Sequence, residues 1–258
     1  MIGCIIQVRM GSTRLSGKVM KKIDDKNPVL YYVIEQTKYC KLLDKIIIAT
    51  TVLEEDDIIV KYATNMGIEC FRGSVLDVLD RYYQCAKKFG FSTIVRLTSD
   101  NPLNDPTITD KAIEKFYTNS YDFLTNSVPR TFPQGISVEV FSFNALEKAW
   151  KNARLLSERE HVTPFFYNNP NMFKIYNMEY SENISHLRWT IDRKEDLILV
   201  REIISKIKKR PILMQDILEL FSKEPDLINI NKDHIIDEGY LKSLEEDKLF
   251  FKSNTFKT

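Results

Sequence analysis

Residues 1–18 read MIGCIIQVRMGSTRLSGK, and this stretch decides the fold. From Ile2 to Val8 the chain is short, apolar and β-branched at Ile2, Ile5, Ile6 and Val8, and it stops at the charged Arg9. That pattern belongs to a strand buried on both faces of a parallel sheet. The chain then turns polar. Between Arg9 and Lys18 stand three cations (Arg9, Arg14, Lys18), two glycines (Gly11, Gly17), three hydroxyls (Ser12, Thr13, Ser16) and no carboxylate. Glycine lets backbone N–H groups approach an anion, an arginine fork matches phosphate oxygens, and lysine adds a point charge. The loop reads as a polyphosphate cradle, with an ordinary basic surface turn as the plain alternative. It is not a Walker A loop, because five residues separate Gly11 from Gly17 and Val19 follows Lys18. Nor does it match the G-x-G-x-x-G dinucleotide fingerprint in spacing or charge.

Working outward, the chain alternates helix and strand. Asn27-Pro28 opens a helix from about Val29 to Cys40, and Lys45 to Thr51 is a second buried strand. A helix from about Glu55 to Met66 stops at Gly67, before a short strand at Ile68 to Phe71. Ser74 and Asp77 read as a capping box for a helix that runs to Phe89 and ends at Gly90. Thr93 to Leu97 is the next strand. Such alternation predicts an α/β fold with a mostly parallel sheet covered on both faces, and ligands at the carboxyl ends of the strands. The cationic loop and the loop after Leu97 both lie there. The latter reads TSDNPLNDP, Thr98 to Pro106, and places Asp100 just beyond the strand. A carboxylate beside a triphosphate cradle is what Mg²⁺ needs, because magnesium takes few protein oxygens and completes its octahedron with water and phosphate. An Asx turn is the alternative role for Asp100.

After a helix from about Pro106 to Tyr117 the pattern loosens. Val128 to Phe141 reads as a loop entering an antiparallel or edge strand, followed by a helix around Ala145 to Ala153. Ser157 to Tyr167 packs Glu158, Arg159, Glu160 and His161 together, which suits either a solvated helix start or a ligand contact. A short strand from Leu187 to Ile191 is expected to end at Asp192, open to an N-cap or a ligand role, before a helix to about Ile207. A further helix near Met214 to Phe221 meets Pro225. The expected organisation is a main domain over 1–225 with an irregular insertion at about 128–180, then a helical extension or tail over 226–258.

With 258 residues, 43% hydrophobic and 28% charged, the chain can bury one generous α/β core with an appendage. Its net charge of +1 favours neither nucleic acid nor an anionic membrane as partner, so anion binding must be local. Four cysteines (Cys4, Cys40, Cys70, Cys85) are widely spaced without a C-x-x-C and read as reduced core residues. The apolar start is too short for a signal peptide and no run approaches a membrane span, so a cytoplasmic protein is expected.

The phrase RMGSTRLSGK resembles the cytidylyltransferase superfamily that activates acidic sugars, which includes the CMP-Kdo and CMP-sialate synthetases. It is most similar to the branch labelled spore-coat polysaccharide biosynthesis protein F, which typically reads RMGSTRLPGK, so Ser16 replaces a proline. TSDNPLNDP resembles that branch's TGDCPLIDP, GSVLDVLDRYY its GSEEDVLDRYY, and EREHVTP is shared. Asp192, Glu195 and Asp196 stand in the register of D-x-P-E-D-L, with Lys194 for the proline. The resemblance implies a nucleotide-diphospho-sugar transferase-like fold (GT-A/Rossmann-like), a three-layer sandwich. It implies an Mg²⁺-dependent transfer of CMP from CTP to a sugar or sugar-acid acceptor, in a homodimer. Arg9, Gly11, Ser12, Thr13, Arg14, Lys18, Ser74 and Asp77 would bind the nucleotide. Asp100 and Asp192 would hold the metal, and Arg14 and Lys18 would join them in catalysis. Arg81, Glu139, Arg159 and His161 would face the acceptor, His161 being also the candidate general base. Two rivals stand beside this reading. A glycosyltransferase of similar architecture would want a D-x-D motif, which neither Asp100 nor Asp192 supplies. A non-catalytic nucleotide-binding protein would be expected to lose an aspartate or a loop cation, and all are present.

Overall fold

The N-terminal strand sits in the middle of the sheet. In the computed structural model, which describes residues 1–12, 14–233 and 238–255, β1 (Ile2–Gln7) pairs in parallel with β2 (Lys45–Thr51) and β4 (Thr93–Thr98). β3 (Glu69–Gly73) lies outside β2, again in parallel. β6 (Glu139–Ser142) runs antiparallel to β4, and β5 (Phe123–Thr125) and β7 (Ile175–Asn177) complete the order β3-β2-β1-β4-β6-β5-β7. β6 is the reversed strand of this mostly parallel sheet and lies inside it, between β4 and β5, not at an edge.

Side chains alternate across the sheet into two apolar layers. Cys4, Ile6 and Val8 share one layer with Val95 and Leu97, beneath α1 (Val29–Lys38), α2 (Asp57–Asn65), α4 (Pro106–Thr118), α8 (Lys194–Lys206) and α9 (Met214–Lys223). Ile5, Ile47 and Ile94 face the other layer with α3 (Val78–Phe89), α5 (Phe143–Asn152) and α7 (Pro164–Asn168). Ile5, Ile6, Ile47 and Ile48 are wholly buried, each stabilising the sheet by roughly 1.5–3 kcal/mol. The three-layer α/β sandwich follows from that two-sided burial.

Two expected elements differ, each because of the hydrogen bonds its backbone makes, and the C-terminal extension finds a packing partner. α3 is capped by Asp77, whose carboxylate accepts the Asp80 N–H (2.8 Å), while Ser74 Oγ accepts the Asp77 N–H (3.0 Å) in the turn before it. The serine-to-aspartate spacing recurs from Asp77 to Asp80, one step along, and there it starts the helix. Leu187–Ile191 is extended but forms no strand, because its backbone meets a loop. Gln134 N–H donates to Leu187 O and Trp189 N–H to Gln134 O, and a single bridge at Arg188 results. The C-terminal extension is a helix, α10 (Glu238–Thr255), packed against α6 (Leu156–His161), where Asp247 Oδ1 accepts the Ser157 N–H (3.1 Å). Residues 234–237 and 256–258 of the expected extension lie outside the described residues.

Candidate active site

A cleft of about 1010 Å³ opens at the carboxyl ends of β1 and β4, as a parallel sheet dictates. The loop leaving β1 folds on itself: Met10 O accepts from Ser12 N (2.7 Å) and Gly17 N (3.2 Å). Met10 N–H donates to Asp56 Oδ1 (2.7 Å), a fully buried carboxylate that anchors the loop and that sequence reasoning missed. Gly17 turns through φ +61°, the left-handed region where glycine costs nothing, and delivers Lys18 into a short 3-10 turn.

Lys18 is the centre of the cluster. Its Nζ donates to Asp100 Oδ2 (3.1 Å), Asp192 Oδ1 (2.9 Å) and Ile191 O (2.8 Å). Burial works against the ammonium, but Asp100 and Asp192 outweigh it and raise its pKa above 10.5. Asp100 projects from the end of β4, its Oδ1 accepting the Thr98 hydroxyl (2.5 Å). Its backbone carbonyl accepts the Ile191 N–H (2.8 Å) and the Thr190 hydroxyl (3.2 Å), and this tie brings Asp192 alongside.

Asp192 is not the cap of α8. Arg193 holds that position, and Asp196 Oδ2 accepts the N–H groups of both Asp192 and Arg193 (2.8 Å each). The Asp192 carboxylate is thereby left for the cleft, where Oδ1 accepts from Arg14 Nη2 (2.6 Å) and Lys18, and Oδ2 from Arg188 Nη2 (2.8 Å). Burial would raise its pKa, but Lys18, Arg14 and Arg188 together hold it far below the usual carboxylate range. Arg188 is itself fixed by Asp196 (3.0 Å) and by Gln134 Oε1 (2.6 Å). Gly135 follows with φ +113°, and a Cβ there would meet Trp189 Cδ1 at 2.7 Å and Thr190 N at 2.9 Å, so only glycine lets the two segments lie this close.

Asp100 and Asp192 thus turn one oxygen each toward a single point, each about 3 Å from the ammonium between them. Among the described residues no cluster of three or more metal-ligating side chains occurs. Two converging carboxylates nevertheless fit magnesium, which draws its remaining ligands from water and phosphate.

The other end of the cleft is framed by β4, β6 and α3. Arg96 and Glu139, cross-strand partners, form an ion pair through Arg96 Nη1 and Glu139 Oε2, and Glu139 Oε1 accepts the Thr163 hydroxyl (2.7 Å). Arg81 is 1% exposed, and its Nε and Nη1 have no hydrogen-bond partner. Burial lowers its pKa. His161 Nε2 lies 3.0 Å from Ser243 Oγ of α10, whose hydroxyl also reaches Glu160 Oε2 (3.2 Å). Arg9 pairs with Glu160 at 3.7 Å.

Arg9, Ser12, Arg14, Lys18, Arg81, Asp100, Glu139, His161 and Asp192 therefore line one cleft. Gly11, Ser74, Asp77 and Arg159 lie outside its lining, and Thr13 falls outside the described residues. Arg159, expected on the acceptor, is spent structurally. Its Nε (2.8 Å) and Nη2 donate to Asp77 Oδ2, and Nη1 donates to Trp150 O (2.8 Å), tying α6 to α3 and α5. Arg96, Arg188 and the whole contribution of α10 went unread in the sequence. A charge inside the apolar run TIVRL was the available signal for Arg96. None existed for α10, whose residues enter by tertiary packing.

The chain is similar to several known proteins. A family model described as cytidylyltransferase matches residues 3–250. An uncharacterized protein of Methanocaldococcus jannaschii is 41% identical over 88% of this chain and 93% of its own length. The spore coat polysaccharide biosynthesis protein SpsF of Bacillus subtilis is 33% identical over 86% and 94%, respectively. Among solved structures, a cytidylyltransferase from Leptospira borgpetersenii superposes with a TM-score of 0.85 at 35% identity, over 91% of this chain and 98% of that one.

Proposed function

Because the chain belongs to the cytidylyltransferase family, we propose that it transfers CMP from CTP to a small sugar or sugar-acid acceptor and releases pyrophosphate. The observation that carries the reading is Lys18 held between Asp100 and Asp192 where β1 and β4 end. A phosphate-binding cation and two metal-binding carboxylates share one point, as attack at the α-phosphorus requires. Positioning and charge neutralisation dominate such reactions. Arg9, Arg14 and Lys18 hold the phosphate oxygens, and Lys18 and Arg14 move from the aspartates to the nucleotide as it enters. Mg²⁺ on Asp100 and Asp192 would supply Lewis-acid charge at the α-phosphate and lower the pKa of the attacking hydroxyl. Glu139, Arg81 and His161 face the acceptor, with His161 the candidate general base.

Similarity to a spore coat polysaccharide protein supports a surface glycan as the destination of the product. The reading includes a cytoplasmic homodimer docked through about 128–180. No helix among the described residues is long and apolar enough to cross a membrane. The test is a thermal-shift screen with Mg²⁺ and each of CTP, UTP, GTP and ATP, beside Asp100→Ala, followed by pyrophosphate release with candidate acceptors. A CTP-selective, Mg²⁺-dependent shift that weakens in the variant is expected. No shift with any triphosphate refutes the reading, and preference for another triphosphate refutes its base.

A further inference from the structure

Every cation of the β1 loop rests on an acid brought from elsewhere in the chain. Lys18 has Asp100 and Asp192, and Arg9 has Glu160. Arg14 has Asp192 through Nη2 and Glu238, the first residue of α10, through Nη1 (3.5 Å). Glu238 also draws in a cation that no motif predicted: Arg193 Nη2 donates to both its oxygens, at 3.0 Å each. The Arg14 guanidinium lies against the backbone of Gly239 as well, because a Cβ built there would be 3.7 Å from Nη1.

An arginine pair closing on one carboxylate, at the rim of a cleft lined by Ser12, Lys18 and Asp192, has the donor arrangement of a phosphate clamp. Building on the proposed nucleotidyl transfer, we infer that Arg14 and Arg193 together grip a terminal phosphate and that Glu238 occupies their fork until that phosphate arrives. A phosphate carries more charge and more acceptor oxygens than the carboxylate, so it displaces Glu238 from both arginines. The helix that Glu238 opens also reaches the far end of the cleft. Gly239, Tyr240, Lys242, Ser243 and Glu246 of the same helix line the cleft wall, and Ser243 touches His161 and Glu160.

Inorganic pyrophosphate with Mg²⁺ is the probe, titrated calorimetrically into wild type, Glu238→Gln and Arg193→Met, with a melting curve confirming that each variant is folded. Glu238→Gln should bind pyrophosphate roughly two- to fivefold more tightly, the range set by one partly exposed ion pair. Arg193→Met should bind it more weakly by a similar factor. A Glu238→Gln protein with unchanged or weaker affinity overturns the inference, and so does an Arg193→Met protein with wild-type affinity. Pyrophosphate carries no base, so a chain that prefers another triphosphate leaves this inference standing. If CTP binds selectively while Glu238→Gln changes nothing, the clamp fails and the nucleotidyl-transfer reading survives. No pyrophosphate binding to any of the three proteins overturns the clamp directly.

Discussion

Replacing Lys18 with methionine removes the ammonium from between Asp100 and Asp192 while keeping an unbranched apolar stem of similar reach. The side chain is 11% exposed and makes three hydrogen bonds, two of them to carboxylates. Leaving a buried charge without its partner costs about 3–5 kcal/mol. The cost here is smaller, because Asp192 keeps Arg14 and Arg188 and Asp100 is 27% exposed and keeps the Thr98 hydroxyl. About 2 kcal/mol at pH 7 is expected in metal-free buffer. The pH dependence has a defined sign. Folding raises the Lys18 pKa above 10.5, so its contribution is complete below that value and is lost as the pH climbs through the raised one. Folding lowers the Asp192 pKa below 3.8, so its contribution is complete above 3.8 and is lost as the pH falls through the depressed value. The deficit of the variant is therefore full between 3.8 and 10.5 and shrinks on either side. Urea unfolding in EDTA near pH 5 and near pH 9 should show the same deficit, because both lie inside that window. With CTP, Mg²⁺ and a working acceptor, turnover should fall at least ~100-fold, as when a donor aimed at developing charge is lost. A deficit that differs between the two pH values, or a variant as stable and as active as wild type, refutes the account of this cluster.

Two further substitutions separate structural from functional roles. Arg159→Met cuts the ties from α6 to Asp77 and the Trp150 carbonyl, and it should cost about 1–3 kcal/mol while leaving the Michaelis constant for the acceptor unchanged. A normal melting temperature with a raised acceptor constant would restore Arg159 to the binding site. Gly135→Ala forces φ +113° on a residue with a Cβ and drives that carbon into Trp189 and the Thr190 backbone, so at least ~2 kcal/mol should be lost. A melting temperature within about a degree of wild type would show that the segment beside Asp192 yields easily.

Much of the fold was legible because its signals are local. β1 and β2 show as β-branched runs ended by charge, and Gly67 and Gly90 mark helix ends with φ of +76° and +67°. What misled lay in tertiary context. Leu187–Ile191 has the apolar alternation of a strand, yet its backbone partners are Gln134 and Asp100, residues of loops. Asp192 has the position of a helix cap, an alternative left open beside its ligand role, and Asp196 takes over the capping. Arg159 sits in a phrase shared with relatives, and residue type alone does not tell an arginine bound for a ligand from one bound for Asp77. The central aspartates and loop cations were legible because their motifs sit at strand ends, where topology fixes the direction of the chain.

The order of charges along the chain explains why this cleft exists only in the finished fold. The loop from Arg9 to Lys18 carries cations and no acid, so in isolation it would repel itself and bind anions weakly from bulk water. Its counter-charges arrive from Asp100, Glu160, Asp192 and Glu238, that is, from the loop after β4, α6, the segment before α8, and α10. Each is delivered by an element whose own apolar face is buried elsewhere in the sandwich or against α6. The hydrophobic layers thus hold four acids against three cations at distances the loop could not set for itself. On the proposed reading, a polyanion entering the cleft meets cations already aimed, and it trades places with carboxylates. Preorganisation of that kind lowers the cost of binding the phosphates, and it depends on the packing of α10 as much as on the motif at the N-terminus.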